Sequence, residues 1–204
     1  MKDFIRQPLP ATLEAAETLK RAVDSHLRGA FADAERHFKS ANQPAIRDWS
    51  CSFWDKRWRE TVAPSLPGLA TPIPVKDRDP LRMPTRAMED ELIERDGYIC
   101  RFCATPVVPA QVRQRATRQY PNAVPWGRKS AEQHAAFQAM LLNFDHIEPH
   151  SRGGQTTLDN LVVSCSPCNL GRGNFTLEEV FLSDPRQRPP VASEWTGLVE
   201  FSSG

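Results

Sequence analysis

The chain has 204 residues, of which 40% are hydrophobic and 25% charged, a composition that is typical of a folded globular protein and excludes a disordered one. Its formal net charge of +1 excludes a basic surface over the whole molecule, so any nucleic-acid partner has to be bound by a local cationic patch. No apolar stretch approaches the roughly 20 residues of a membrane span, and the first ten residues lack the apolar run of a signal peptide. We therefore expect a soluble cytoplasmic protein that makes no membrane contact.

The first 62 residues predict a helical segment. Apolar side chains recur at three- and four-residue spacing in three successive stretches, which Gly29 and Pro44 separate. The third stretch, 45–62, contains three of the five tryptophans, and such side chains are enriched at protein interfaces. The segment can therefore bind a protein partner, although a small helical bundle packed on its neighbour is the simpler interpretation.

Proline dominates the next part of the chain and predicts an extended linker over residues 63–84. Six prolines lie between positions 61 and 84, and each removes a backbone donor and disfavours a helix before it. Thr85 is then placed to cap a short helix that Gly97 ends. At the other end of the chain, residues 183–204 are proline-containing and polar, and predict a tail that runs over the surface.

Four of the five cysteines form two Cys-x-x-Cys pairs. They are Cys100, Cys103, Cys165 and Cys168. Two such pairs can place four thiolates about 2.3 Å from one metal ion, and soft ligands with no open position favour structural zinc. The alternative, a redox pair, leaves the other pair unexplained. Because 61 residues separate the pairs, the fold itself has to bring them together.

The run from residue 144 to 173 has the most informative residue pattern, FDHIEPHSRGG followed by DNLVVSCSPCNLGRG. Asp145 and His146 are neighbours, so on a strand they point to opposite faces, and one can bind a metal while the other faces a water. Oxygen ligands such as Asp145 and Asn169 suit Mg²⁺. Asn169 directly follows Cys168, so a bound zinc ion would hold its backbone in place.

Together with the upstream sequence RDGYICRFC, this run resembles the HNH endonuclease family, in the subgroup that has zinc-binding cysteines. The resemblance covers residues 85 to about 176. It implies an α+β fold, in which a ββα-metal (HNH) core is held by a zinc site of four cysteines and is preceded by the all-helical N-terminal segment. Residues 85–182 would then form the nuclease domain, with 104–144 as an insertion before the catalytic strand.

The resemblance also implies a role for each site residue. His146 corresponds to the general base that activates water, while Asp145 and Asn169 correspond to the ligands of a catalytic Mg²⁺ or Mn²⁺ ion. Asn160 corresponds to the middle asparagine, which holds the loop and orients the histidine. Arg172 occupies a basic position that is suited to contact a phosphate, and the four cysteines correspond to the zinc ligands.

The insertion contains a local cluster of positive charge. Between positions 110 and 130 there are five cations and no acidic residue. The cations are Arg113, Arg115, Arg118, Arg128 and Lys129. Tyr120 and Trp126 lie among them, so the segment combines groups that bind phosphates with groups that stack on bases. An ordinary solvated loop or a partner interface explains the same pattern, and the sequence favours neither interpretation.

These observations predict a metal-dependent endonuclease that hydrolyses phosphodiester bonds of DNA. One alternative is a zinc-stabilised nucleic-acid-binding module without cleavage, against which the intact trio of Asp145, His146 and Asn169 argues. Another is an HNH-type RNase. No individual residue distinguishes DNA from RNA as the substrate, and DNA is favoured only by the family resemblance. For the biological role, our hypothesis is an antiphage-defence or restriction effector that works with a protein partner.

Overall fold

The computed structural model describes residues 7–52 and 72–202. Over these ranges the chain forms seven α-helices and one two-stranded antiparallel sheet. The helices are α1 (Pro10–Leu27), α2 (Phe31–Ala41), α3 (Pro44–Cys51), α4 (Arg86–Asp96), α5 (Ala110–Gln119), α6 (Ala135–Ala139) and α7 (Ser166–Arg172), and the strands are β1 (Leu142–His146) and β2 (Leu161–Cys165). None of the helices within the described ranges is long and apolar enough to cross a membrane.

The N-terminal segment is helical, as its periodicity predicts. Helix α1 begins with Pro10 at its first position, where the missing N–H of proline costs no hydrogen bond. The third predicted helix is described only as far as Cys51, where α3 ends. Two of the three clustered tryptophans, Trp54 and Trp58, lie outside the described residues.

The larger hydrophobic core joins these helices to the insertion. Phe38 of α2 is fully buried, and its ring centroid lies 5.1 Å from that of Tyr120 and 6.2 Å from that of Phe137. His134 Nε2 donates a hydrogen bond of 2.8 Å to the Phe38 carbonyl, and burial lowers the pKa of His134 to about 4. The insertion is therefore the layer on which the N-terminal helices pack.

The C-terminal tail returns to the same core. Trp195 Nε1 donates to the Val107 carbonyl at 2.8 Å, and the side chains of Leu198 and Phe201 are fully or almost fully buried. The expectation that residues 183–204 run over the surface is therefore wrong for their last part. Residues 186–194 are exposed, but Leu198 and Phe201 after them are buried in the larger core.

A second, smaller core contains the sheet. β1 and β2 pair in antiparallel register, with Asp145 opposite Val162 and His146 opposite Leu161. Every residue of β2 is buried, and the strand leads directly into α7. This β1–β2–α7 order is the ββα arrangement, so the predicted α+β fold is confirmed.

Helix α4 braces the sheet from the side. It is bounded as predicted, because Thr85 Oγ1 accepts the Met88 N–H at 3.4 Å and Gly97 takes a positive φ of 66° at the other end. Asp96, in its last turn, is buried and its Oδ2 accepts the Val163 N–H at 3.0 Å. This bond ties the helix before the first cysteine pair to the strand before the second.

The part of the predicted linker that the structure describes, residues 72–84, is called the connector here. Its backbone forms one short 3₁₀ turn at Val75–Asp77 and is otherwise irregular. The Ile73 N–H donates to the Ser151 carbonyl at 2.9 Å, and the carboxylate of Asp79 accepts the Thr156 N–H at 2.8 Å. The connector is therefore packed on the loop between β1 and β2, rather than spanning free solvent.

Candidate active site and metal centre

The two cysteine pairs meet in one buried cluster. The sulfur atoms of all four cysteines lie within 4.8 Å of one another, and Cys103 Sγ is 3.6 Å from Cys165 Sγ. Four sulfur ligands at about 2.3 Å around a tetrahedral ion would be about 3.8 Å apart, so the arrangement fits a single metal ion. The cysteines within the described ranges form no disulfide. The fold therefore joins two cysteine pairs that 61 intervening residues separate in the sequence into one metal site.

Backbone turns and β2 place these ligands. The Ala104 N–H donates to the Cys100 carbonyl at 2.9 Å and so closes the turn that carries the first pair. β2 ends at Cys165, and Cys168 follows in the first turn of α7. The neighbouring thiols hold the pKa of Cys103 far below its ordinary value, whereas burial raises the pKa of Cys165. A divalent cation at the centre would stabilise all four as thiolates.

A cleft of about 840 Å³ lies beside this cluster, where β1, the start of the following loop and α7 face the connector. Asp145, His146 and Asn169 all line it. The first two come from the end of β1, and the third follows the last cysteine on α7. The structure thus brings the three predicted catalytic residues to one cavity.

His146 is half-buried and is held by a chain of hydrogen bonds. Its Nε2 lies 2.9 Å from Thr156 Oγ1, and the Thr156 hydroxyl donates to the carbonyl of Leu81 in the connector. A hydroxyl has one proton, so Thr156 must accept from His146 Nε2–H, which leaves the lone pair on Nδ1. Burial first, and then the nearby charge of His150, lowers the pKa of His146 to about 4. His146 is therefore neutral at neutral pH, which is the form a general base needs.

Asp145 and Arg172 form a buried ion pair. Arg172 Nη2 lies 2.6 Å from Asp145 Oδ1, and its Nε donates to Oδ2 at 3.2 Å. Arg172 is fully buried and also donates to the carbonyls of His146 and Phe175. Burial raises the pKa of Asp145, and the guanidinium opposes this effect. The resemblance implied a phosphate contact for Arg172; in the structure its guanidinium is buried in the wall of the cleft and paired with Asp145, which it orients.

The oxygen atoms of Asp145 and Asn169 suit a hard divalent cation as ligands. Each oxygen of Asp145 retains a lone pair beyond its bond to Arg172. Asn169 is half-buried, and its side-chain amide makes no hydrogen bond to any residue in 7–52 or 72–202. One carboxylate and one amide oxygen are few protein ligands, and Mg²⁺ tolerates this because it keeps several waters.

Asn160 holds the loop between the two strands. Its Nδ2 donates to the carbonyls of Glu148 and Gln155 at 3.1 and 2.8 Å, and its Oδ1 accepts the Glu148 N–H at 2.8 Å. Gly154 lies inside this closed loop, where an added Cβ would be 1.8 Å from the Glu148 carbonyl oxygen. The three bonds keep the chain after His146 in one conformation.

The structure does not bring the cations of the insertion to the cleft. All five are described, none of them lines it, and two on α5 stack on aromatic rings. The Arg113 guanidinium lies 4.2 Å from the centroid of Trp126, and that of Arg115 lies 5.4 Å from the centroid of Phe201. Tyr120 is only 6% exposed, and its hydroxyl is hydrogen-bonded to His26 Nδ1 at 2.7 Å. Tyr120 is therefore not free to stack on a base, and the ring of the half-buried Trp126 is contacted by Arg113.

Other arginines line the cleft, and sequence reasoning missed them. They are Arg78 and Arg82 of the connector and Arg86 at the start of α4. Their regular four-residue spacing around the Thr85 cap was the only signal in the sequence. The signal is weak because the same segment is rich in proline, a pattern that predicts a linker.

The comparisons with known proteins agree with this geometry. A family model described as HNH endonuclease matches residues 129–175, a segment that contains β1, the loop, β2 and α7. The chain therefore contains an HNH endonuclease domain, which supports a nuclease-type function on nucleic acid, and the resemblance seen in the sequence is confirmed. The first cysteine pair lies before the matched segment, and the fold adds it to the metal site. Searches of curated proteins and of solved structures found no significant match.

Proposed function

We propose that the protein is a metal-dependent endonuclease that hydrolyses phosphodiester bonds of DNA. The observation that supports this best is the shared cleft, in which a neutral histidine, a buried carboxylate and an amide without a partner among the described residues face the same space. A module that only binds nucleic acid has no use for a histidine that is held in one tautomer. An HNH-type RNase would use the same catalytic residues, so only the choice of RNA over DNA as substrate distinguishes this alternative.

His146 acts as the general base in this proposal. Nε2–H is held by Thr156, so Nδ1 is the atom that takes a proton from the attacking water. The low pKa keeps Nδ1 free of a proton at neutral pH. Thr156 is a positioning residue, because its hydroxyl selects the tautomer and fixes the ring without touching the substrate.

Asp145 and Asn169 would hold the catalytic divalent ion, and Arg172 keeps the Asp145 carboxylate in one plane through a bidentate contact. When bound, Mg²⁺ or Mn²⁺ supplies electrostatic stabilisation of the scissile phosphate and its leaving oxygen. We assign zinc to the four cysteines, where it is structural. By fixing the first turn of α7, that zinc site also fixes the backbone of Asn169.

We also propose that the protein acts in the cytoplasm, as a restriction or antiphage effector with a protein partner. The support for a partner is an exposed apolar group on the first two helices. Leu13, Leu27 and Phe31 are 44%, 52% and 58% exposed, while the inner faces of α1 and α2 are used by the core. A partner would therefore contact the outer surface of these helices.

Incubation of the purified protein with supercoiled plasmid tests the proposed function. We expect nicked or linear DNA when Mg²⁺ or Mn²⁺ is added and intact plasmid when no divalent metal is added. A parallel reaction with structured RNA distinguishes the RNase alternative. If zinc-loaded, folded protein binds DNA but cuts neither substrate with either metal, the endonuclease assignment is wrong.

The role of Thr156 predicts a difference between two substitutions. Thr156→Val keeps the shape of the side chain but removes the hydroxyl, so we expect cleavage to slow by about fivefold with an unchanged KM for DNA, since one hydrogen bond contributes roughly 1 kcal/mol. Thr156→Ser retains the hydroxyl and is expected to keep most of the activity. Equal activity of the valine and serine variants, measured by single-turnover cleavage, would show that Thr156 does not position His146.

A further inference from the structure

The connector is anchored next to the general base. His150 Nε2 donates to the Asp79 carbonyl at 2.8 Å, and the Thr156 hydroxyl donates to the carbonyl of Leu81. Thr156 is in turn bonded to His146. Arg82 is the residue that follows Leu81, so its backbone is only two hydrogen bonds away from the imidazole.

Three cations from this stretch and the helix after it line the cleft. They are Arg78, Arg82 and Arg86, and they share this lining with His146. Within residues 7–52 and 72–202, the Arg82 side chain makes no hydrogen bond and no ion pair, and it is exposed. Arg86 is paired with Glu89 and Asp90 at 3.5 and 3.1 Å, but its side chain is 72% exposed.

The charge balance of the cleft favours an anion. Its lining includes four arginines against two carboxylates, and one of those carboxylates, Asp145, is already paired with the buried Arg172. The whole chain carries only a net charge of +1, so this positive charge is concentrated at the site. Exposed ion pairs such as those of Arg86 contribute little and can be exchanged for a phosphate.

We propose that Arg78, Arg82 and Arg86 form a phosphate-binding strip that holds the DNA backbone beside the scissile bond. This inference rests on the proposed function and deepens it by assigning the substrate contacts to the connector and the start of α4 instead of the insertion. All three side chains line the same cleft, two from the connector and one from the first turn of α4. Contacts to phosphates fix the position of a duplex without reading its sequence.

The salt dependence of binding tests the strip. Fluorescence anisotropy with a labelled duplex DNA would be measured over a range of salt concentrations, with no divalent metal added and no chelator, so that no cleavage occurs and the zinc site stays loaded. The slope of log K against log salt is about 0.9 per phosphate contact. We expect it to fall by about 0.9 in Arg82→Gln and by about 1.8 in the Arg82→Gln/Arg86→Gln double variant.

Two sets of controls accompany these variants. Arg82→Lys keeps the charge and is expected to retain the slope. Arg118→Gln/Arg128→Gln removes two exposed cations of the insertion and is expected to leave the slope unchanged, because neither residue lines the cleft. Circular dichroism of each variant checks that the fold is intact.

The outcomes separate this proposal from the proposed function. The proposal of a phosphate-binding strip would be wrong in any of three cases. The slope could be unchanged in the Arg82→Gln/Arg86→Gln variant, it could fall equally in the Arg118→Gln/Arg128→Gln variant, or the parent protein could fail to bind DNA. If the slopes change as expected but the parent protein fails to cut plasmid with Mg²⁺ or Mn²⁺, the strip stands and the endonuclease assignment fails. If the parent protein cuts plasmid but the salt dependence of cleavage is the same in all variants, the endonuclease assignment stands and the phosphate-binding strip is wrong.

Discussion

Replacing His146 with alanine is expected to lower the rate of plasmid cleavage by about 10²–10⁴-fold, since this is the usual contribution of a positioned general base. The substitution removes the Nδ1 lone pair and leaves the metal donors in place. We therefore expect DNA binding to be close to that of the parent protein. Single-turnover cleavage with saturating Mg²⁺, together with anisotropy measured without metal, separates the two effects.

Two other histidines provide the comparison for this experiment. His37 lies on α2, away from the cleft, and His37→Ala is expected to cleave at the parental rate. His150 is closer, with its ring centroid 5.7 Å from that of His146, but its Nε2 holds the connector through Asp79. If His150→Ala lost all activity while His146→Ala retained it, the assignment of the general base would be wrong.

Removal of the metal from the cysteine cluster is expected to unfold the ββα core. The second, smaller core contains few apolar side chains besides the cysteines themselves, so little else would hold it together. Binding of structural zinc contributes on the order of 10–16 kcal/mol in small zinc domains. We expect one zinc ion per chain by elemental analysis, and a large fall in melting temperature after complete chelation.

The fifth cysteine provides a matched control for this prediction. Cys103→Ser removes one ligand from the buried cluster and is expected to lower both the zinc content and the melting temperature. Cys51→Ser alters a half-buried thiol of α3 outside the cluster and should leave one zinc ion per chain. A protein that melts at the same temperature with and without zinc would contradict a structural metal.

Short-range features of the sequence were sufficient to nominate the residues of the candidate site. The two Cys-x-x-Cys pairs, the adjacent Asp145 and His146, and Asn169 after the last cysteine all depend on residue type and on spacings of a few positions. Such spacings determine which ligands a single turn or strand end can present together. For the same reason the caps of α4, at Thr85 and Gly97, were correctly predicted.

The surroundings of the site depend on contacts between distant parts of the chain. The sequence shows that Arg172 and Arg82 are both cations near the motif, but not that the first is buried against Asp145 while the second is exposed at the cleft. Burial of a charge is decided by which groups pack around it, and these come from segments far apart in the sequence. The same holds for Tyr120, whose partners are His26 and Phe38.

The sequence by itself therefore determined the class of domain and the four cysteines of the metal cluster, and it nominated the candidate base. Only the tertiary structure decided that the insertion forms a common core with the N-terminal helices, and that the connector supplies Leu81 to the hydrogen-bond chain of His146. The physical reason is that ligand chemistry is local, whereas a surface faces solvent only if no other part of the fold covers it. Proline patterning predicts a linker in this part of the chain, but it carries no information about what the linker lies against.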